Sequence, residues 1–173
     1  PIVGGENCRA GIIKETALWK HACLRIPKPT REQIVRRLAL LVKDLHKDGI
    51  TLVGAMEELQ DVEDYLYQMS KKLRSRLRVM LLDDPTNECI ERAKLFLDDE
   101  NLSITGFKTF IDGTLGSRTA KMYEPFCDVE SSGVLVSHAA NGKLSTWVSE
   151  VTTSGFAPVM HAIGDEGVGI ALR

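Results

Sequence analysis

The sequence predicts an α/β fold in which a parallel sheet is joined by helical crossovers. Two observations carry that expectation. Short apolar runs of strand length alternate with longer stretches in which apolar residues recur every three or four positions. Polar residues gather in or just after the apolar runs: Thr51 to Glu57, Asp83-Asp84, Lys108/Asp112 and His161/Asp165 all fall there. Parallel α/β architectures collect their chemistry at these carboxyl ends of strands.

Residues 1–29 read as an irregular lead-in, with Gly4-Gly5 and a Pro27/Pro29 break. From residue 30 to 173 the pattern is continuous. Thr30 and Gln33 have capping-box spacing, and Ile34, Leu38, Leu41, Val42 and Leu45 carry a helix to Gly49. ITLVGA (50–55) is a first strand. Val62, Leu66, Met69 and Leu73 predict a helix over 60–74, and RLRVMLL (76–82) is a second strand. Asp84-Pro85-Thr86 starts a helix that Ile90, Ala93, Leu95 and Leu97 extend to about 97. SITGFKTFI (103–111) is a third strand, followed by a long glycine-rich and polar segment, 112–142. A helix over 143–154, a fourth strand over 156–162 and a helix from Gly164 complete the order. A doubly wound sheet and part of a (β/α)₈ barrel both fit; a full barrel takes about 250 residues, so the chain is roughly half of one.

The 173 residues are 43% hydrophobic and 27% charged with a formal net charge of −2, enough apolar material for a core. Neither sign of charge forms a long block, which argues against a nucleic-acid groove or a polybasic membrane patch. The longest stretch without a charged side chain, 151–164, is short of the ~20 apolar residues of a membrane span and contains Gly155 and Pro158. No basic segment followed by an apolar one opens the chain, so no secretory signal is expected. The four cysteines, Cys8, Cys23, Cys89 and Cys127, form no CxxC pair, and reduced thiols in a cytoplasmic protein are the expectation. The start at PIVGG without a methionine and the stop at Arg173 within a helical pattern suggest an internal piece of a longer protein.

Side chains alternate across a strand, so Ile104, Gly106, Lys108, Phe110 and Asp112 are expected on one face of the third strand. Thr105, Phe107, Thr109 and Ile111 are expected on the other, under the helices. Lys108 then reaches out of the sheet or pairs with Asp112, or else belongs to a site. His161, with Asp165 four residues on, reads equally as a buried histidine donating to a backbone carbonyl and as a metal ligand. His21, His46 and His138 have no HxH or HExxH spacing. IGDEGVG (163–169) has glycines spaced GxxGxG rather than GxGxxG, and NGKLST (141–146) lacks the first glycine of a phosphate loop. Both read as turns that begin helices, which leaves a small nucleotide binder without its phosphate site.

GFKTFIDGTLGSRTAKMYEPF (106–126) and VMHAIGDEGVGIAL (159–172), taken together, resemble the metal-dependent amidohydrolase superfamily. The likeness is to its amidohydrolase family 3 branch, which includes N-substituted formamide deformylases. GITLV (49–53) resembles the second barrel strand of that family, and GIIKE (11–15) a stretch upstream of it. The resemblance implies a partial (β/α)₈ TIM barrel, about strands two to five, forming an incomplete segment of a hydrolase domain over 30–173. It implies that Lys108 is the strand-four lysine, carboxylated by CO₂ and bridging two metal ions of zinc type, and that His161 is the strand-five histidine ligand. Asp112, Ser117 and Arg118 fall in the family's loop near the substrate. The implied reaction is hydrolysis of a C–N bond in a small amide or formamide by a metal-activated water.

The same resemblance puts the HxH pair of strand one before Pro1, and a later histidine and aspartate after Arg173. The His-Asp that often follows strand two stands here as Gly54-Ala55. Two candidate ligands are fewer than the three a hydrolytic zinc site uses, so the 173-residue chain is expected to be inactive alone. A different class of function also fits: a non-catalytic half-barrel that binds or assembles, its open strand edges covered by a partner or by a second copy of the chain.

Overall fold

The structure, a computed structural model, describes residues 22–173. Cys8, GIIKE, His21 and most of the lead-in lie outside the described residues. A 3₁₀ turn at Cys23–Arg25 precedes α1 (Arg31–Lys47). The predicted capping box forms: Thr30 Oγ1 accepts from the Gln33 amide at 3.3 Å, and Gln33 Oε1 from the Thr30 amide at 2.9 Å. Gly49, at φ +75°, turns the chain out of α1 into β1 (Leu52–Glu57). A helical run follows as α2 (Leu59–Asp61), a π-helical turn (Val62–Leu66) and α3 (Tyr67–Leu73). The apolar spacing that predicted one helix here does not distinguish a single widened turn from a regular one. The run starts where Asp83 Oδ2 takes the Leu59 amide at 2.7 Å.

β2 (Arg76–Leu81) leads to α4 (Asn87–Lys94), whose first turn is capped by Thr86 Oγ1 on the Cys89 amide at 3.2 Å. β3 (Leu102–Phe110), α5 (Ser137–Ala140), α6 (Leu144–Thr153), β4 (Ala157–His161) and α7 (Asp165–Ala171) complete the chain. The four strands form one parallel sheet in sequence order, β1-β2-β3-β4. Together with the helical crossovers this is the α/β partial-barrel fold that the sequence predicts.

The core lies between the sheet and its helices. Val79 and Leu81 of β2, Leu102, Ile104 and Phe107 of β3, and Trp147, Val151 and Phe156 around α6 are all buried there. Phe107 meets Phe156 edge to face at 5.3 Å. Strict alternation would put Ile104 and Phe107 on opposite faces, as the sequence reading has it. Both are instead fully buried in the same core. The reason is a register shift: Val79 pairs with Ile104 and Met80 with Gly106, so Thr105 is one extra residue in β3. The bulge reverses the alternation from residue 106 onward. Ile104 therefore leaves the face of Lys108, while Phe107, Thr109 and Ile111 stay under the helices. Just past the bulge Gly106 is required, because a Cβ there would lie 2.2 Å from the Ala157 carbonyl oxygen.

The opposite face of the sheet has no helix over it among the described residues. Partners in a parallel register point to the same side, so Leu52, Gly54 and Met56, Arg78 and Met80, Lys108 and Phe110, and Val159 and His161 share this face. Leu52, Met56 and Phe110 are exposed on it.

The two phenylalanines of β3 provide a test of the bulge. Phe107→Ala is expected to lower stability by about 3–5 kcal/mol and Phe110→Ala by no more than about 1 kcal/mol, read from urea denaturation midpoints. Equal losses would mean that the alternation continues through Thr105.

Candidate metal centre

The parallel ladder of β3 and β4 brings Lys108 and His161 to one surface. Lys108 pairs with Val159 and Phe110 with His161, so the two candidate ligands stand one diagonal apart on adjacent strands. The Phe110 ring is near both: its centroid is 5.4 Å from Lys108 Nζ and 5.3 Å from the His161 ring.

Lys108 is half-buried, and among the described residues no carboxylate pairs with it. Burial alone pulls its ammonium below the ordinary lysine value. The Lys108–Asp112 pair, one of the sequence expectations for this lysine, does not form. Asp112 is 1% exposed and its carboxylate turns the other way, accepting the amides of Ile163 (3.0 Å), Gly164 (2.7 Å) and Lys121 (2.8 Å).

His161 Nε2 lies 2.9 Å from the Gly113 carbonyl oxygen. A carbonyl only accepts, so Nε2 carries the hydrogen and Nδ1 of the neutral ring keeps its lone pair. This contact matches the reading of His161 as a histidine that donates to the backbone, and it also leaves one ring nitrogen able to bind a cation. Asp165 does not reach His161. Its Oδ1 takes the amides of Tyr123 (2.9 Å) and Glu166 (2.8 Å) instead.

Ser117 and Arg118 build the loop over 112–142. Ser117 Oγ lies 2.8 Å from Thr114 Oγ1 and also bonds Thr119 Oγ1. Arg118, in the left-handed region at φ +61°, grips Asp128 through Nε (2.9 Å) and Nη2 (2.7 Å), and gives Nη1 to the Leu115 carbonyl at 2.7 Å. The loop is stitched to α7 by Lys121, whose Nζ reaches Glu166 at 2.9 Å and Ser132 Oγ at 3.0 Å. Sequence reading did not single out Gly113, Lys121 or Glu166. Gly113 acts through its carbonyl, which no residue type announces, and the lysine–glutamate pair is 45 positions apart in sequence (166 − 121).

Among the described residues no three His, Cys, Asp or Glu side chains come close enough to hold a metal ion. Lys108 and His161 share one face of the sheet, and among the described residues no group of three such donors accompanies them. Cys89 is not a competing nucleophile, since burial pushes its thiol up to about 11.

The chain matches the model of the amidohydrolase family (Amidohydro_3) over residues 3–173 and belongs to that family. It is 31% identical over 185 aligned positions to Protein LONG AFTER FAR-RED 3 of Arabidopsis thaliana, covering 95% of this chain and 31% of the relative. Its fold resembles two solved structures described as uncharacterized metal-dependent hydrolases. For the one from Pyrococcus furiosus the TM-score is 0.71 at 25% identity, covering 92% of this chain and 35% of that protein. For the one from Pyrococcus horikoshii OT3 it is 0.70 at 24% identity, covering 92% and 34%. The chain thus spans about a third of the length of the relatives it matches.

Glu57, at the carboxyl end of β1, offers an electrostatic test. Burial, with like charge from Asp61 and Glu58, holds its carboxyl above the usual range. A carboxyl raised in the folded state contributes stability at low pH that is lost as pH rises through its folded value. Glu57→Gln carries no charge to desolvate. It is expected to be more stable than the unmutated chain at about pH 7, with the difference vanishing towards about pH 4, in thermal midpoints measured across that range.

Proposed function

We propose that this chain supplies the strand-two to strand-five portion of a metal-dependent amidohydrolase barrel that hydrolyses C–N bonds of small amides or formamides. The observation that carries the reading is the pairing of Lys108 and His161 on the open face, the lysine half-buried without a carboxylate partner and the histidine with its Nε2 hydrogen committed to Gly113. The family assignment and the descriptions of the structural neighbours support the hydrolytic class. The formamide branch rests on the resemblance of the 106–126 and 159–172 runs.

Lys108 and His161 would hold a divalent ion, zinc in this proposal. Such an ion would supply Lewis acidity and lower the pKa of a bound water towards about 7. The chain's own part begins with Lys108. Desolvation favours the neutral amine, whose lone pair can attack the carbon of CO₂; an N–C bond forms, one N–H proton leaves to solvent, and the product is an anionic carbamate. A side chain that repels cations becomes an oxygen donor for them. His161, its Nε2–H committed to the Gly113 carbonyl, would present Nδ1 to such an ion. Phe110 is in contact range of both donors and forms the apolar edge of the pair.

A second reading draws support from the exposed apolar residues of the same face, Leu52, Met56 and Phe110. A half-barrel with that surface could serve as a non-catalytic assembly module that closes against a second copy. A monomer by light scattering across a wide concentration range would remove that reading.

Metal analysis decides the first. A parent protein containing this chain, refolded with zinc and bicarbonate, is expected to hold near-stoichiometric zinc, and its Lys108→Ala variant distinctly less. No bound zinc in the unmutated parent would leave Lys108 an ordinary strand lysine. The 173-residue chain alone is expected to show no metal-dependent amidase activity, and any turnover sensitive to chelator would contradict the two-donor count.

A further inference from the structure

We infer that Asp112 is a positioning residue for His161, fixing the imidazole in the Nε2–H tautomer by standing in for a missing rung of the β3–β4 ladder. The inference rests on the reading above only in taking His161 as a metal donor. The lock itself is a property of this chain's hydrogen bonds.

In a parallel ladder one residue serves two partners: its amide donates to one residue of the neighbouring strand, and its carbonyl accepts from the residue two positions further on. Ile111 keeps the first half of this pattern, with its amide on the His161 carbonyl at 2.9 Å. The second half would be the Ile163 amide on the Ile111 carbonyl. That carbonyl is already used, because it accepts the Val136 amide at 2.9 Å where the returning loop forms its antiparallel bridge, Asp112 with Leu135. The Ile163 amide goes instead to Asp112 Oδ1 at 3.0 Å. Asp112 Oδ2 takes the next amide, Gly164, at 2.7 Å, and the Lys121 amide of the loop at 2.8 Å.

One carboxylate thus joins three chain segments, and its place is tightly bounded. A Cβ at Gly167 would lie 2.6 Å from Oδ2, so the first turn of α7 comes down directly on it. Three bonds in succession then tie 111–113 to 161–163: the Ile111 amide to the His161 carbonyl, His161 Nε2 to the Gly113 carbonyl, and the Ile163 amide to the Asp112 carboxylate. Asp112 is pinned immediately before Gly113, and the Gly113 amide itself bonds the Thr119 carbonyl at 3.1 Å, so the Gly113 carbonyl is held where only an N–H of the imidazole can face it. The same carboxylate therefore fixes the start of the loop, through the Lys121 amide, and the segment that follows His161, through the Ile163 and Gly164 amides. Asp112 touches no reacting atom. Its contribution is to hold the Gly113 carbonyl against Nε2, which leaves Nδ1 as the ring nitrogen without a backbone partner.

The test uses the 173-residue chain, metal-free and ¹⁵N-labelled, with long-range ¹H–¹⁵N correlation of its histidine rings near pH 8 and His161→Ala for assignment. The unmutated chain is expected to show His161 as a single Nε2–H tautomer, with the Ile163, Gly164 and Lys121 amides exchanging as slowly as those of the strands. Asp112→Ala is expected to lose the single-tautomer pattern at His161 while the Trp147 signals of the core stay dispersed. If that variant does not fold, Asp112→Asn, which keeps one acceptor oxygen, is read in the same way. An Nδ1–H tautomer in the unmutated chain, fast exchange of the three amides, an unchanged His161 in a folded variant, or collapse of both variants would each overturn the positioning role. Because no metal is present, a failure here is distinct from a failure to bind zinc, which would remove the donor reading and leave the lock in place.

Discussion

One extra residue in β3 decides which side chains of that strand meet water. Thr105 has no partner position on β2, and everything beyond it is turned by one step relative to everything before. Ile104 and Phe107 can then both enter the core, which strict alternation forbids. The same step sends Lys108 and Phe110 to the uncovered face, where β4 delivers His161 beside them. The dry side of the molecule and its candidate metal face are thus set by a single irregularity, held by ordinary sheet hydrogen bonds and by the Thr105 hydroxyl on the Val79 carbonyl at 3.2 Å.

The face itself is unusual for a parallel sheet. Such sheets are normally covered on both sides, and their strands read as nearly unbroken apolar runs. Here β1 alternates between half-buried and exposed positions, and the exposed ones are Leu52, Gly54 and Met56. The apolar character fits a surface that another layer or the far wall of a barrel would cover. Against that background a half-buried lysine with its charge disfavoured, beside an imidazole in a fixed tautomer, is a coherent pair of donors. The loop over 112–142 braces this arrangement from the carboxyl end, through the carboxylates of Asp112, Asp165 and Glu166 and the guanidinium of Arg118.

Much of the fold was legible because it depends on local signals. The Thr30 capping box, the Thr86 cap and the apolar spacing of α1 and α4 all act within a turn or two of helix, so their partners lie within sight in the sequence. The order of strands follows from alternation. The β-bulge was not legible, because a register shift is a property of two strands and neither one alone encodes it. The candidate site was legible in residue types and not in their arrangement. Lys108 and His161 stand out as polar residues at strand ends. The role of Asp112 depends on amides from positions 121, 163 and 164, and that of Gly113 on a carbonyl, neither of which has a sequence signature. Arg118 and Ser117, drawn from the family resemblance, prove to be fastened to their own loop, where their visible work is structural.

The packing of α1 has a mechanical consequence. Leu38, Leu41, Val42 and Leu45 do not close onto the sheet but line a cavity of about 140 Å³ with Val53, Ala55, Leu66, Met69 and Leu77, and no residue of α1 is buried. Empty volume is what hydrostatic pressure removes, since unfolding under pressure is driven by the loss of such voids. Compression would therefore bear first on the contact between α1 and the elements it faces, since the layer around Phe107, Trp147 and Phe156 is closely buried. The first helix of the described residues is in that sense the loosest layer, and the sheet beneath it the frame.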